Sequence, residues 1–401
     1  MASDTTVAPG DREGRLTALR NLKMARSAHA YVRGNTLQFY EWLNDGGRTL
    51  PLGPDLWICG DCHVSNIGPV ADRDGGIDIQ IRDLDQAVVG NPAHDIVRLG
   101  VSLATAARGN DLPGVITARM VEQLIDGYER AMGGGRKAYR VVDRPDAIRL
   151  VMKAALKRRW KHLARERMKG LTPHIPEGKR YWPITPDEQA DLQALVDTDA
   201  MRHLVTQLVY RSDAARLELL DAKYWVKGCS SLGNLRYALL LRVVTKNEDD
   251  EICLVDVKEA LKAAAPRSPH GEMPRNNAER VKQGALHLAP NLGDRMMTGR
   301  VRGRSVFVRE LRPQDLKIDL DQLDEVEAMR VARYLGNVVG RAHATQLDWP
   351  TRKAWLADLQ RNRPKTIDAP SWLWNSVVAL VQAHEGGYLE HCRRYAITQA
   401  R

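Results

Sequence analysis

Gly60-Asp61-Cys62-His63-Val64-Ser65-Asn66 is the segment whose residue types and spacing point most directly to chemistry. A short apolar run, Leu56 to Cys59, delivers Asp61 into a tight loop, and Asn66 follows five residues later. Seventeen residues beyond Asn66 a second apolar run ends in Asp83-Leu84-Asp85. An acid that orients a hydroxyl, with an amide oxygen and a carboxylate that hold Mg²⁺, is the set needed for phosphoryl transfer from ATP. On this reading Asp61 is the catalytic acid–base group, and Asn66 and Asp83 are metal ligands. The competing reading is a polar turn whose Asp and Asn bond local backbone. Asn91-Pro92-Ala93-His94-Asp95-Ile96-Val97-Arg98 follows. There Asp95 either bonds back to the catalytic loop and stiffens it, or is an ordinary first-turn acid.

A second cluster lies far downstream. Gly228-Cys229-Ser230-Ser231-Leu232-Gly233 sits between two predicted strands. Its Gly228, Ser230, Ser231 and Gly233 either let backbone amides approach phosphates or form a plain hairpin turn. Val255-Asp256-Val257-Lys258 alternates, so Asp256 and Lys258 share the face opposite Val255 and Val257. Glu279 follows 21 residues after Lys258, on a predicted helix. A strand lysine on the α/β-phosphates, paired with a helix glutamate, is the kinase arrangement. Glu259 competes for the lysine but points to the other face.

The elements that must carry these residues are legible from periodicity. Two helical patterns, with Leu16, Leu19 and Leu22 and then Leu37, Tyr40 and Leu43, are separated by a break at Arg33-Gly34. Asn66 to Val70 and Ile77 to Ile81 form a hairpin closed by Asp74-Gly75-Gly76. Residues 93 to about 170 are mostly helical, Pro173 to Pro183 is a connector, and helices resume to about 221. Strands follow at Tyr224–Lys227, Leu235–Val244 and Ile252–Val257, then a helix near 276–289 and strands at Met296–Val301 and Ser305–Glu310. A long helix over about 321–346, with Leu323, Val326, Leu335, Val338, Val339 and Ala342 inward, precedes a helical end.

The chain has 401 residues, with 60 Lys+Arg against 50 Asp+Glu, a net +10 that suits an anionic ligand without choosing one. Lys153, Lys157, Arg158, Arg159, Lys161, Arg165, Arg167 and Lys169 crowd one predicted helix, but with Trp160 as its single aromatic a solvated face is expected over a nucleic-acid grip. No run reaches the roughly 18 apolar residues of a spanning helix, and the first residues lack the apolar core of a secretory signal. The 5 scattered cysteines do not read as a disulfide framework, and His384, His391 and Cys392 lack zinc spacing. His63 is expected to make a structural hydrogen bond within its loop. A cytoplasmic protein with no membrane partner and no structural metal is expected.

These residues resemble the protein-kinase-like superfamily, and within it the aminoglycoside phosphotransferase type, in which a G-D-x-H-x-x-N loop is followed by I-D-F-G or a variant and then G-x-P-x-x-D. The counterparts are Gly60 to Asn66, Ile81-Arg82-Asp83-Leu84-Asp85 and Gly90-Asn91-Pro92-Ala93-His94-Asp95. Over about residues 20–400 the chain also resembles the bacterial family of domains of unknown function 2252, through Arg33-Gly34, the catalytic loop, the Gly/Ser turn, Val257-Lys258-Glu259-Ala260 and Ala342-His343-Ala344. The resemblance implies an α+β, kinase-like bilobal fold in circularly permuted order, because the Gly-rich turn and Lys258 come after the catalytic Asp61 rather than before it. It implies a flexible tail over 1–15, a helical catalytic lobe over 16–221, a small antiparallel-sheet nucleotide lobe over 222–311, and helices completing the catalytic lobe over 312–401. The segment Val308 to Leu311 would join the lobes, with Glu310 and Leu311 offering backbone groups to adenine. ATP and Mg²⁺ are the implied cofactors. Cys59 stands where those phosphotransferases have His, and Leu84-Asp85 replaces Phe-Gly. Three functions follow: a phosphotransferase acting on a small-molecule or protein hydroxyl, an AMP transferase with the nucleotide reversed in the same cleft, or a nucleotide-binding regulator without turnover. A polycationic aminoglycoside acceptor is disfavoured by the net positive charge.

Overall fold

Three long strands, two of them buried on both faces over most of their length, build the centre of the molecule. Strands β6 (Arg216–Trp225), β7 (Arg236–Val244) and β8 (Glu251–Glu259) pair antiparallel. With β5 (Tyr181–Trp182), β9 (Met296–Val301) and β10 (Arg304–Glu310) they form one sheet in the order β5-β6-β7-β8-β10-β9. One face carries Leu239, Leu241, Val255, Val257, Val306 and Val308 into a core shared with Leu192, Leu195 and Leu204. The opposite face carries Asp256 and Lys258, as the alternation of β8 predicts. The computed structural model describes residues 6–45, 50–134, 144–158, 173–207, 211–212, 214–229, 232–244, 251–318, 323–361, 363 and 368–395. Among these it is a mixed α/β protein with 13 α-helices and antiparallel sheets.

A second set of short strands positions the loops. β1 (Leu56–Ile58) pairs with β4 (Val88–Gly90), and β2 (Ile67–Ala71) forms the expected hairpin with β3 (Ile77–Ile81). Asp72 closes that hairpin by accepting from the amides of Asp74 (2.9 Å) and Gly76 (2.7 Å). These strands pack in one large core with the helices Ala93–Gly109, Gly114–Gly133, Glu325–Ala344 and Ser371–Tyr395.

The sheet reaches further back in the chain than expected. Tyr181–Trp182, read as part of a connector, is its edge strand, β6 begins at Arg216, and the helices Pro186–Val196 and Asp199–Thr206 lie against the sheet. Their apolar stripes fit a sheet face as well as a helix face, so periodicity alone placed them with the helical lobe. Nor is the whole of 1–15 a free tail. The helix Arg12–Met24 begins with a buried Arg12 whose Nη1 meets Glu188 Oε1 at 2.7 Å, over the Tyr224 ring. Two expected inward residues face out instead: Leu37 is 58% and Val326 63% exposed. The basic helix ends at Lys157, and Arg159 to Lys169 lie outside the described residues, as do 321 and 322 at the start of the long helix. No helix among the described residues is long and apolar enough to cross a membrane.

Candidate active site

The loop after β1 turns sharply at Gly60, whose φ of +72° suits glycine, and a side chain there would strike the Gln86 carbonyl. Its amides are held by Asp95, in the first turn of Ala93–Gly109 and fully buried. The Cys59 N–H donates to Asp95 Oδ2 (2.7 Å) and the Gly60 N–H to Oδ1 (2.9 Å). Asp95 therefore bonds back to the loop, the first of the two roles expected for it. A buried chain braces it: Trp355 Nε1 donates to Tyr128 Oη (3.2 Å), Tyr128 Oη meets His343 Nδ1 (3.0 Å), and His343 Nε2 meets Asp95 Oδ2 (3.1 Å). With tryptophan a pure donor, a Tyr128 O–H that donates to His343 Nδ1 and a His343 Nε2–H that donates to Asp95 complete the chain. Tyr40 Oη donates to the Gly60 carbonyl at 2.6 Å. An Asp95→Ala protein should lose roughly 3 kcal/mol of stability, because two buried amides lose their acceptor. Urea unfolding measures this, and a loss under about 1 kcal/mol would mean that the loop does not depend on Asp95.

Asp61 is 7% exposed. Its Oδ1 accepts from Arg98 Nε (3.0 Å), and Arg98, fully buried, also donates to the Val32 carbonyl (2.6 Å). Burial pushes the Asp61 carboxyl up, against the pull of Arg98 and a hydrogen bond from the Thr36 side chain. Asp83 is near enough to add to the rise. Asn66 Nδ2 donates to the Asp61 carbonyl (3.1 Å), which fixes which edge of the amide presents Oδ1. His63 does not make the expected hydrogen bond: Nε2 lies 3.8 Å from Asp61 Oδ2, and Nδ1 has no partner among the described residues. Burial, then Arg33 and Arg98, hold its imidazole neutral.

Asp83 ends the β3 run, and its side chain is 49% open. Lys258 Nζ, on a residue 4% exposed, lies 3.5 Å from Asp83 Oδ1 and is ion-paired with Asp85. Burial opposes ionisation of both carboxyls. Lys258 nonetheless holds Asp83 below the usual carboxylate range, while burial and the charge of Asp83 push Asp85 up. Water reaching the open side of Asp83 favours the same order. Glu279 does not pair with Lys258. Its Oε1 accepts from Thr298 Oγ1, and the two aspartates are the nearer partners of the lysine. The next residue, Arg280, grips the segment after Asp83 through the carbonyls of Asp85 (2.9 Å) and Ala87, and ties it to the chain just past the end of β8 through the Leu261 carbonyl (2.8 Å). Glu259 serves Arg304 (3.1 Å) and the Leu235 amide (2.8 Å), on the face away from Lys258.

In the Gly/Ser turn Gly228 and Gly233 have φ of +100° and +109°. Ser230 and Ser231 lie outside the described residues. The turn is tied to the N-terminal helices: Lys23 Nζ donates to the Gly228 carbonyl (3.0 Å), and a Cβ on Gly34 would sit 3.1 Å from Cys229 Sγ and 2.7 Å from Met24 Cγ. This gives Arg33-Gly34 a physical reason, since Gly34 leaves room for the turn. Two of the backbone groups assigned to a base edge are already engaged. Leu311 N–H donates to the Leu254 carbonyl (2.8 Å), and the Glu310 carbonyl accepts from Arg295 (3.4 Å). The Glu310 carboxylate pairs with Arg211 (3.0 Å).

With this geometry in place, comparison with known proteins identifies a family. A family model described as an uncharacterized protein conserved in bacteria, DUF2252, matches residues 12–394. The chain belongs to this family. No curated protein and no solved structure matches it.

In this DUF2252 chain several site residues had no assigned role in the sequence. Asp85, Arg98, Thr36 and Arg280 contact the loops that carry Asp61 and Asp83, yet each is an unremarkable polar residue along the chain. Asp85 had one usable signal, a second carboxylate two residues from the first. Cys59, Cys62 and Asp95 place ligand atoms within 4.8 Å of one another. Both Asp95 oxygens already serve the loop amides, and a hydrogen bond with Cys62, then burial, keeps the Cys59 thiol protonated. These residues anchor the loop rather than offer a thiolate to a metal. The oxygen donors that suit a hard cation are Asn66 and Asp83, joined by Asp85.

Proposed function

We propose that this chain is an ATP-dependent phosphotransferase of kinase-like type acting on a hydroxyl acceptor, its bilobal kinase-like fold in circularly permuted order. The observation that carries the reading is the meeting of Lys258 with Asp83, at 3.5 Å, from distant parts of the sequence and at the mouth of the loop that holds Asp61. A lysine and a part-exposed carboxylate near a buried acid form the set that phosphoryl transfer uses. Lys258 and the amides of the 228–233 turn would bind phosphate oxygens. Asp61 Oδ2, with Oδ1 taken by Arg98, would accept the hydroxyl proton. Bound Mg²⁺, held by Asn66 Oδ1 and Asp83, would neutralise phosphate charge. Glu279 would pair with Lys258 only after a shift of its helix.

A second reading, transfer of AMP from a reversed nucleotide, is favoured by the engaged backbone groups at Glu310 and Leu311, which leave little to recognise a base there. The test is consumption of ATP with Mg²⁺ across metabolite and protein fractions, with label on either the α- or the γ-phosphate and Asp61→Asn as control. Transfer of γ-label to an acceptor supports phosphotransfer, and transfer of α-label supports the second reading. ATP binding without any product leaves a nucleotide-binding regulator.

A further inference from the structure

We propose that the cavity between the end of β10 and the β2–β3 hairpin is a binding subsite for a phosphate group. The cavity measures about 140 Å³. That is short of the roughly 300–1,000 Å³ that bury a whole drug-sized ligand, but enough for one compact group. Arg82, Arg158, Lys227, Arg309 and Arg312 line it, and the single carboxylate among the lining residues is Asp315. Asp315 is already shared, because Arg295, 2% exposed, sits behind it at 3.7 Å. Arg309 is engaged with Asp256 at 3.4 Å, and Asp256 is held as well by Arg236. Arg82 Nη1 is buried without a hydrogen-bond partner among the described residues, and burial draws down the proton affinity of Arg295.

Positive charge gathered out of water at a loss is stabilised by an anion that brings hydrogen-bond acceptors. A phosphate, with charge near −2 and three acceptor oxygens, matches several guanidinium forks at once, whereas a carboxylate offsets one cation. The apolar side is supplied by Val70 and Leu311.

The position ties this subsite to the centre already described. Arg309 Nη1 donates to the Arg82 carbonyl (3.2 Å), one residue before Asp83. Its partner Asp256 lies two residues from Lys258 on the same face of β8, about 7 Å along the strand. A single ligand can therefore place one phosphate at Lys258 and another in the cavity. The site at Leu311, where a base was expected, is built for an anion. Only this last step, the identity of the ligand, rests on the phosphotransfer reading; binding of phosphate does not.

The test is calorimetric titration of the full chain with inorganic phosphate, without Mg²⁺. Saturable binding at one site is expected, weakened at least tenfold in Lys227→Gln and Arg312→Gln and unchanged in Arg393→Gln, a cation 75% exposed on the helix Ser371–Tyr395. Lys227 is only half-buried, so its variant should fold even if the Arg312 variant does not, and thermal melting checks both. Absence of saturable binding, equal affinity in Lys227→Gln, or loss of binding in Arg393→Gln would overturn the subsite. Competition by ATP then names the source of the phosphate. Displacement assigns it to the phosphate chain of the nucleotide, and independent binding assigns it to a phosphorylated second substrate or free phosphate. Phosphate binding that is lost in Lys227→Gln, in a wild-type protein that never consumes ATP, would sink the phosphotransfer reading and leave the subsite standing.

Discussion

An Asp83→Ala protein should fold normally and lose Mg²⁺-dependent ATP binding by about 100-fold or more, with all transfer. Folding survives because the side chain is 49% exposed and Lys258 keeps Asp85 as a partner. Binding fails because Asp83 is the one carboxylate of the pair that the neighbouring lysine holds ionised, ready for a cation. Asp85 cannot substitute at mildly acidic pH, since burial and Asp83 raise its carboxyl. Removing Asp83 takes away one cause of that rise but leaves the larger one, burial, so any residual binding through Asp85 should weaken more on acidification than wild-type binding through Asp83 does. Calorimetry with Mg²⁺-ATP, and the same titration without metal, measures both effects. Unchanged turnover in a well-folded Asp83→Ala protein would exclude the centre proposed for this chain.

Asp61→Asn should cut the chemical step by about 10²- to 10⁴-fold while ATP affinity stays within a small factor of wild type. The substitution removes the proton acceptor and leaves an oxygen for Arg98 Nε. It also leaves the buried Arg98 without its counter-charge, so a loss of stability accompanies it. The rates must therefore be compared below the melting range of the variant. The pH dependence separates the two roles. A base works only when ionised, and burial raises the Asp61 carboxyl, so the wild-type rate should fall as pH drops, with its midpoint above the ordinary aspartate range. The residual rate of Asp61→Asn should lack that limb. A limb that persists in the variant would place the base elsewhere and make Asp61 an anchor for Arg98.

Local chemistry made much of the frame legible. Asp74-Gly75-Gly76 closes the hairpin it was expected to close, and β9 starts and ends where apolar alternation placed it. The helix expected near 276–289 runs from Asn277 to Leu288, behind an Asn276 cap that accepts from Ala278 (2.9 Å). Turn chemistry, caps and alternation act within a few residues, so one chain records them fully. The alternation of β8 likewise put Asp256 and Lys258 on one face before any contact was known.

Partners were a different matter. Glu279 had the right type and spacing for Lys258, but in the folded chain Asp83 and Asp85 are closer, and Glu279 turns to Thr298. Tyr181–Trp182 is too short to show a period, and only pairing with Tyr224 and Trp225 makes it a strand. The buried run from Trp355 through Tyr128 and His343 to Asp95 joins four elements distant in sequence, and each residue alone is an ordinary polar or aromatic one.

The amino-acid sequence by itself determined which groups this protein can use: an acid in a tight loop, an amide and a carboxylate at hairpin ends, and a lysine on the inward face of a strand. The tertiary structure decided which of them meet, how Asp61 and Asp83 are poised, and that five cations converge on one cavity beside Leu311. The physical reason is range. Backbone preference and periodicity are set by neighbours along the chain, whereas an ion pair or a charged pocket depends on distances in space that arise only when the sheet and helices pack.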